Sequence, residues 1–381
     1  MKEYLSKIKG DFGKLIAYEF FKNFAISMLG IFIPILIYSE TGDLRMPAIY
    51  LIGSALAGSL AAFPVMKIIN HYGFRSGLYI SYIFLMPAIV MMYFLNPTIY
   101  TTLTVAVLYS IGADFHAESR NIEFVEDSTR ENRDMETAYL MALPNIGRLF
   151  GPIAGGIAST LGGFQTMLAI AFTSVLISII PASSIKMKSK TTDVQWRSML
   201  NREYLKFAPV FASRGAQAYA SVAIFSLFTY IFIAGSISSG LVRSFDIVGF
   251  MIMAYFSGYI SSKYSRGKII FTGASLAGIV YLIRIGVSDP IEAFVVSVAG
   301  GLAFKLYDIP LFSEYADGAE DNEERSFYAS KKLFNSLGKL VTSVLFLTVF
   351  TLSTERTAFN TVFIFAGVST AIMIFGERIS G

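Results

Sequence analysis

Apolar segments of about twenty residues, each long enough to cross a hydrocarbon layer about 30 Å thick as a helix, recur along the whole of this chain. Six occur in succession near 15–38, 47–66, 75–95, 98–118, 137–160 and 164–182, and six more near 207–233, 241–261, 268–287, 291–311, 333–353 and 359–375. No soluble core of a 381-residue chain holds twelve such segments, and only 15% of the residues are charged against about 25% in an average soluble domain. Lipid offers the backbone no hydrogen-bond partners, so each segment must be helical. The predicted fold class is an all-α polytopic membrane protein with twelve transmembrane helices. The first segment is too long for a signal-peptide core and no small-residue cleavage site follows it, so it is read as a retained span.

Between the two sets of six lies a polar stretch with Lys186, Lys188, Lys190, Arg197 and Arg202 and no run long enough to span. The expected organisation is therefore a six-helix bundle over 1–185, a linker over 186–206 and a second six-helix bundle over 207–381. Lysine and arginine alternate from loop to loop. Lys2, Lys7, Lys9 and Lys14, then Lys67 and Arg75, Arg120, Arg130 and Arg133, the linker, Lys263, Arg266 and Lys268, and Arg325, Lys331 and Lys332 fall on one side. The other side has only Arg45, Arg243 and Arg356. The positive-inside bias makes the rich side cytoplasmic, with both termini there and the chain a multi-pass protein of the cell membrane. The formal charge of +4 is then topological and calls for no nucleic-acid partner.

The halves repeat. Glu123-Phe-Val-Glu-Asp127 and Glu314-Tyr-Ala-Asp-Gly318 each occur at the end of the fourth span of their half, followed by Asn145-Ile-Gly147-Arg148-Leu and by Asn335-Ser-Leu-Gly338-Lys339-Leu. Gly147 thus corresponds to Gly338 and Arg148 to Lys339, as expected of two pseudo-symmetric bundles. Within the fifth span Gly147, Gly151 and Gly155 recur every four residues and so share one helix face along which a neighbouring helix can approach and slide. Pro152 removes a backbone donor and is expected to bend the helix.

The segment Gly147-Arg-Leu-Phe-Gly151-Pro152-Ile-Ala-Gly155-Gly156 resembles the fifth-helix motif g-x-x-x-G-P-x-x-G-G of the major facilitator superfamily. The resemblance is to the proton-linked antiporters and exporters of that family. The loop after the second span, Met66-Lys-Ile-Ile-Asn70-His71-Tyr-Gly73-Phe-Arg75, departs from the family's G-x-x-x-D-R-x-G-R-K in its leading glycine and its aspartate. The equivalent loop of the second half keeps Gly258, Lys263, Arg266 and Lys268 but again lacks the acid. The family implies that helices three, six, nine and twelve sit outside while the others line a central cavity. Charge distribution agrees: spans three, six and twelve have uncharged interiors, and span nine has only Arg284 near its outer end.

The remaining spans carry Glu19, Lys22 and Asn23, then Asp114, His116 and Glu118, Arg148, Arg214 and Gln217, Asp246, Lys305 and Asp308, and Lys339. Ionisable groups in membrane helices face a bundle interior or water. Glu19 with Lys22, and Lys305 with Asp308, are i, i+3 pairs able to neutralise each other without a transport role. Asp114, His116 and Glu118 lie near the cytoplasmic mouth, where water alone can solvate them, and an imidazole titrates near neutrality. Arg148 and Lys339 have no acid at i±3 or i±4, so a partner must come from another helix or from a ligand. Arg148 stands about 16 Å along its helix, close to mid-membrane.

Candidate substrate-binding residues are therefore Arg148, Lys339, Asn145, Asn335, Arg214 and Gln217. Candidate coupling or gating residues are Glu19, Lys22, Asp114, His116, Lys305 and Asp308, and the helix-packing motif is Gly147, Gly151, Pro152, Gly155 and Gly156. The expected function is secondary transport of a small organic solute, with a lean to an anionic or amphiphilic one exported against protons, by alternating access of the two halves in a monomer. Two alternatives stay open: a polytopic membrane enzyme acting on lipid, and a transport-inactive receptor or assembly factor. No HExxH, nucleophile elbow or nucleotide loop occurs. With no cysteine and two histidines, no metal or cofactor is expected.

Overall fold

The computed structural model describes residues 12–127, 133–184, 199–319 and 324–380, and every regular element among them is helical. The chain begins with α1 (Phe12–Thr41), α2 (Arg45–Tyr72), α3 (Phe74–Tyr93) and α4 (Ile99–Asp127). The next helical run, Arg133–Ser184, has 52 residues, far more than a bilayer needs. Gly163, at φ 76° and ψ 171°, breaks it into α5 (133–162) and α6 (164–184); a side chain at that φ is strained, and glycine is not. A short helix, Arg202–Leu205, precedes α7 (208–234), which contains π-helical turns at Ala220–Ile224 and Tyr230–Ala234. Gly235, at φ 67°, reverses the chain into α8 (Gly235–Lys263). Then come α9 (Arg266–Ile283) with a terminal 3-10 turn Arg284–Gly286, α10 (Pro290–Ala319), α11 (Glu324–Leu352) and α12 (Glu355–Ser380).

Among the described residues nine helical runs are long and apolar enough to cross a membrane. Two of them, Asn145–Ser184 and Ala208–Phe256, are pairs joined through Gly163 and Gly235, and α4, less apolar because of Asp114, His116 and Glu118, completes the twelve. Large apolar side chains such as Leu60, Ile83, Ile180, Val295 and Val368 are exposed on the outer faces, the pattern of a surface that meets lipid. The helices outrun the apolar segments: α4 continues to Asp127, α10 to Ala319, and α11 starts at Glu324. A helix needs apolar residues only where lipid surrounds it, so hydropathy marks the membrane and not the helix ends. The chain of 123–127 and of 314–318 is helical, and the greater part of the linker, 185–198, lies outside the described residues. The helix also runs on through Pro144 and Pro152; its one break is at Gly163.

In the first half α5 packs on α1, and α4 on α2 and α3; in the second, α8 and α9 pack on α10, α9 on α12, and α7 on α11. The halves join through α2 against α11 and α5 against α8. Glycines set these approaches. A Cβ on Gly147 or Gly151 would stand 2.3 Å from the carbonyl oxygens of Phe20 or Phe24 in α1, and one on Gly338 would stand 1.8 Å from that of Ala212 in α7. The helix that this row meets is α1 of its own half. The face turned to the other half carries Gly156, opposite the Ser236 carbonyl, with Gly240 of α8 opposite that of Pro152. Helical period groups residues on a face without saying which neighbour the face meets.

Candidate functional site

Arg148 is half-buried at the middle of α5, and its Nε donates to Asn23 Oδ1 at 2.9 Å. The Asn23 amide in turn donates to Glu19 Oε2 at 2.7 Å and to the Glu19 carbonyl at 2.8 Å. A neutral amide thus stands between the guanidinium and the carboxylate, and no described acid comes within 4.0 Å of Arg148. Four residues on, Pro152 has no N–H for the Arg148 carbonyl, which leaves a free acceptor beside the cation.

Lys339, at the equivalent depth of α11, is also half-buried without an ion pair among the described residues; its Nζ lies 5.3 Å from the centroid of the Tyr219 ring of α7. The charges acting on it most strongly are those of Lys332, Asp114, Arg214 and Glu118, whereas those acting on Arg148 are Arg120, Glu19 and Arg243. The two cations stand at different edges of one charged region.

The acids named as alternative partners are engaged elsewhere. Asp308 accepts from Arg214 Nε at 2.7 Å and from Lys305 Nζ at 2.7 Å, a triad joining α7 and α10 in which Asp308 and Lys305 are buried and Arg214 is half-buried. Asp114 of α4 pairs with Lys332 of α11, a bond between the two halves. Gly58 of α2 makes room for it: Ser336 Oγ, Asp114 Oδ2 and Ser110 Oγ all lie within 3.4 Å of where its Cβ would be. Around this pair Ala61, Val65 and Met66 of α2, Phe115 of α4 and Tyr328 and Ala329 of α11 form one apolar cluster on the side where α1 begins and α12 ends. Near the opposite end Tyr38 of α1 meets Tyr230 of α7 edge to face, 6.3 Å between centroids. The halves therefore touch on both sides of the level of Arg148 and Lys339.

Several candidates turn away from this region. Lys22 is fully buried, but its Nζ sits 3.5 Å over the ring of Tyr82 in α3, with no hydrogen-bond partner and no pairing to Glu19. The i, i+3 neutralisation thus holds for Lys305–Asp308 and fails for Glu19–Lys22, where Asn23 takes the carboxylate. Gln217 lies inside the second half, donating to Ser213 Oγ at 3.0 Å and accepting from the hydroxyl of Tyr307. Asn335 presses its backbone carbonyl against Gly215 of α7, and its Oδ1 is buried without a partner. Asn145 is buried, as is His116, whose Nδ1 bonds the Tyr18 hydroxyl at 2.6 Å while its Nε2 has no partner.

Two arginines escaped the sequence reading. Arg243 was expected beside an outer loop, yet it lies within α8 and pairs with Asp246. The signal was present: three residues separate it from an acid inside the 241–261 apolar segment. Arg284, expected near an outer helix end, is 1% exposed and turned inward. Among the described residues no group of acids and histidines is placed to hold a metal ion.

A model of the Major Facilitator Superfamily matches residues 15–323. No curated protein matches the chain in sequence. Among solved structures, a POT family transporter in complex with a thioalcohol-conjugated peptide superposes with a TM-score of 0.78 at 12% identity, covering 97% of this chain and 96% of that one. A POT family transporter in complex with 5-aminolevulinic acid gives 0.76 at 13% identity, and an auto-inhibited POT family peptide transporter 0.76 at 10%, with the same coverages. Identities this low carry the fold alone. Twelve helices in two repeated bundles, joined by α2 to α11 and α5 to α8, and a family match over most of the length lead to one conclusion: the chain belongs to the Major Facilitator Superfamily, as a membrane-spanning secondary transporter.

Proposed function

We propose that the transported solute is a small organic anion, held between Arg148 of the first half and Lys339 of the second and released as the halves rock about it. A contrast among cations carries this reading. Arg214, Lys305, Lys332 and Arg243 each have a carboxylate within hydrogen-bonding distance, while Arg148 has a neutral amide and Lys339 an aromatic face. A cation in low dielectric without a counter-ion is costly, and an anionic solute that supplies the missing charge at both edges relieves part of that cost, less its own desolvation. The solute would tie one half to the other. The Asp114–Lys332 pair and the apolar cluster around it act as the gate on the termini-bearing side, which the loop charges make cytoplasmic in the cell membrane.

For proton coupling the best-suited groups are Glu19 and His116, whose Oε1 and Nε2 are buried without partners and so have room to take or give a proton. Asp308 and Lys305 lock each other and serve as structure. The outward direction rests on the fifth-helix motif, and the unit is taken as a monomer. The solved neighbours in complex with a peptide conjugate and with 5-aminolevulinic acid make carboxylate-bearing solutes the first probes. The test is flux in sealed liposomes: a panel of labelled carboxylates and phosphate esters should show counterflow that Arg148→Gln abolishes. Chemical turnover in detergent without flux, or counterflow only for cations, would overturn the proposal. Single cysteines at Thr98 and Ser265 should label from opposite sides with an impermeant maleimide, and labelling of both from one side contradicts the topology.

A further inference from the structure

Arg284 closes α9, and its guanidinium is buried where a bare charge is costly. Its Nη1 donates to Ser221 Oγ at 2.9 Å, the hydroxyl presented by the first π-helical turn of α7. The rings of Phe225 and Tyr281 flank it with centroids at 4.4 and 4.8 Å. Its Nε has no partner, and no described carboxylate lies within 4.0 Å. Beside it is a cavity of about 10 Å³, lined in part by Ser221, Tyr281 and Gly300. The nearest route to a counter-ion runs over Gly300 of α10. A Cβ there would stand 3.0 Å from Arg284 Nη2 and 3.8 Å from Asp246 Oδ1, so one methyl group on Gly300 would touch both the guanidinium and the carboxylate.

Asp246 has its other oxygen, Oδ2, on Nη1 of Arg243, one turn away on the same helix. Arg243 in turn lies toward the Arg148 edge of the anion site, its charge being among those acting on Arg148. Its neighbour Ser244 donates to the Leu149 carbonyl at 2.7 Å across the halves, and Leu149 follows Arg148. Asp246 thus lies between an arginine at the site and an arginine without a counter-ion.

We infer that Asp246 is a counter-ion shared by two arginines, held by Arg243 when the site is empty and passed across the Gly300 gap to Arg284 when an anion held by Arg148 and Lys339 also draws on Arg243. The anion's role rests on the function proposed above; the exchange itself does not. An incoming anion draws Arg243 away from Asp246, and a carboxylate stranded in low dielectric is strongly disfavoured. Arg284 receives it, and both uncompensated charges are removed in one step. Because Asp246 is on α8, Arg284 follows α9 and the gap is on α10, filling the site pulls these three elements together.

The exchange can be read without a ligand by melting the purified full-length protein. Arg243→Gln frees Asp246 as an anion would, and with the gap open the carboxylate passes to Arg284, so the melting temperature should fall by no more than about 2 °C. Gly300→Ala alone should be equally mild, since the methyl meets the far end of a flexible side chain. Combined, the two changes strand Asp246, and the loss should exceed the sum of the single losses by on the order of 5 °C. Adding Asp246→Asn to the pair should restore stability. Arg243→Gln with Arg284→Gln should show the same excess loss by a second route. Additive losses, or an Arg243→Gln variant as unstable as the double, would overturn the inference. A wild-type protein that shows no anion flux yet gives the non-additive cycle would instead fault the proposed function and leave the exchange standing.

Discussion

The two halves are built alike and charged differently. In each, a glycine one residue before the site cation seats its helix on the first helix of its own half, Gly147 on Phe20 and Gly338 on Ala212. Around that common seam the polar groups diverge. In the second half Asp308 binds Arg214 and Lys305 at 2.7 Å each, so an acid and two cations are fixed together across α7 and α10. In the first half the corresponding stretch of α1 supplies Glu19 and Asn23, and the amide keeps Arg148 one residue away from the acid. The carbonyl of each site cation differs too: Ser343 Oγ takes that of Lys339 at 2.8 Å, where Pro152 leaves that of Arg148 open. The lesson is that packing repeats while charge is specialised, the second half serving as a rigid frame and the first holding a cation in reserve.

The largest effect should come from breaking the frame. Asp308→Asn strands Arg214 and Lys305 in a buried setting and should cost about 3–5 kcal/mol, read as a collapse of the melting temperature in detergent. Melting close to wild type would erase the contrast between the halves. Smaller is the effect of the seam itself. Gly338→Ala puts a methyl against a backbone carbonyl that cannot give way and should cost about 1–3 kcal/mol. Gly155→Ala meets the side chains of Met28 and Phe32 at 2.7 Å in place of a backbone carbonyl at 1.8 Å and should cost less. Equal losses at the two glycines would show that both seams yield alike.

The fold was legible because lipid leaves a backbone no choice: twelve apolar runs mark twelve crossings, whereas the sidedness of the loops rests on their lysines and arginines alone. The site was half legible. Helical period shows that Arg148 and Lys339 have no acid at i±3 or i±4, and among the described residues none lies within 4.0 Å of either. It is silent on rotation about the helix axis, which is why Lys22 and Gln217 were expected at the cavity and are found inside their own halves. Residue type carries no mark of a π-helical turn, so the presentation of Ser221 to Arg284 was out of reach. Arg243 was misread because a charge near the end of an apolar run looks like a loop charge until its i+3 acid is counted.

A subtler effect belongs to the gate. Lys332→Gln removes the bond between halves at Asp114 and should shift the population toward opening on the termini-bearing side, raising maleimide labelling of a cysteine at Ala61 by about fivefold. Asp114→Asn combined with Lys332→Gln should label no faster than Lys332→Gln alone, since the pair acts as a unit. Labelling at the wild-type rate in the single variant would move the gate elsewhere.

The smallest expected change in stability accompanies the most informative measurement: the melting temperature of Arg148→Gln, with and without the carboxylate that best stabilises the wild type. If Arg148 is held in reserve for an anion, the ligand-free variant should melt within about 1 kcal/mol of wild type, or above it, because an uncompensated charge has been removed, and the anion should no longer stabilise it. A clear loss of ligand-free stability, restored by neutralising Glu19 through Asn23's side of the network, would show that Arg148 is a structural partner of that acid and would contradict the account.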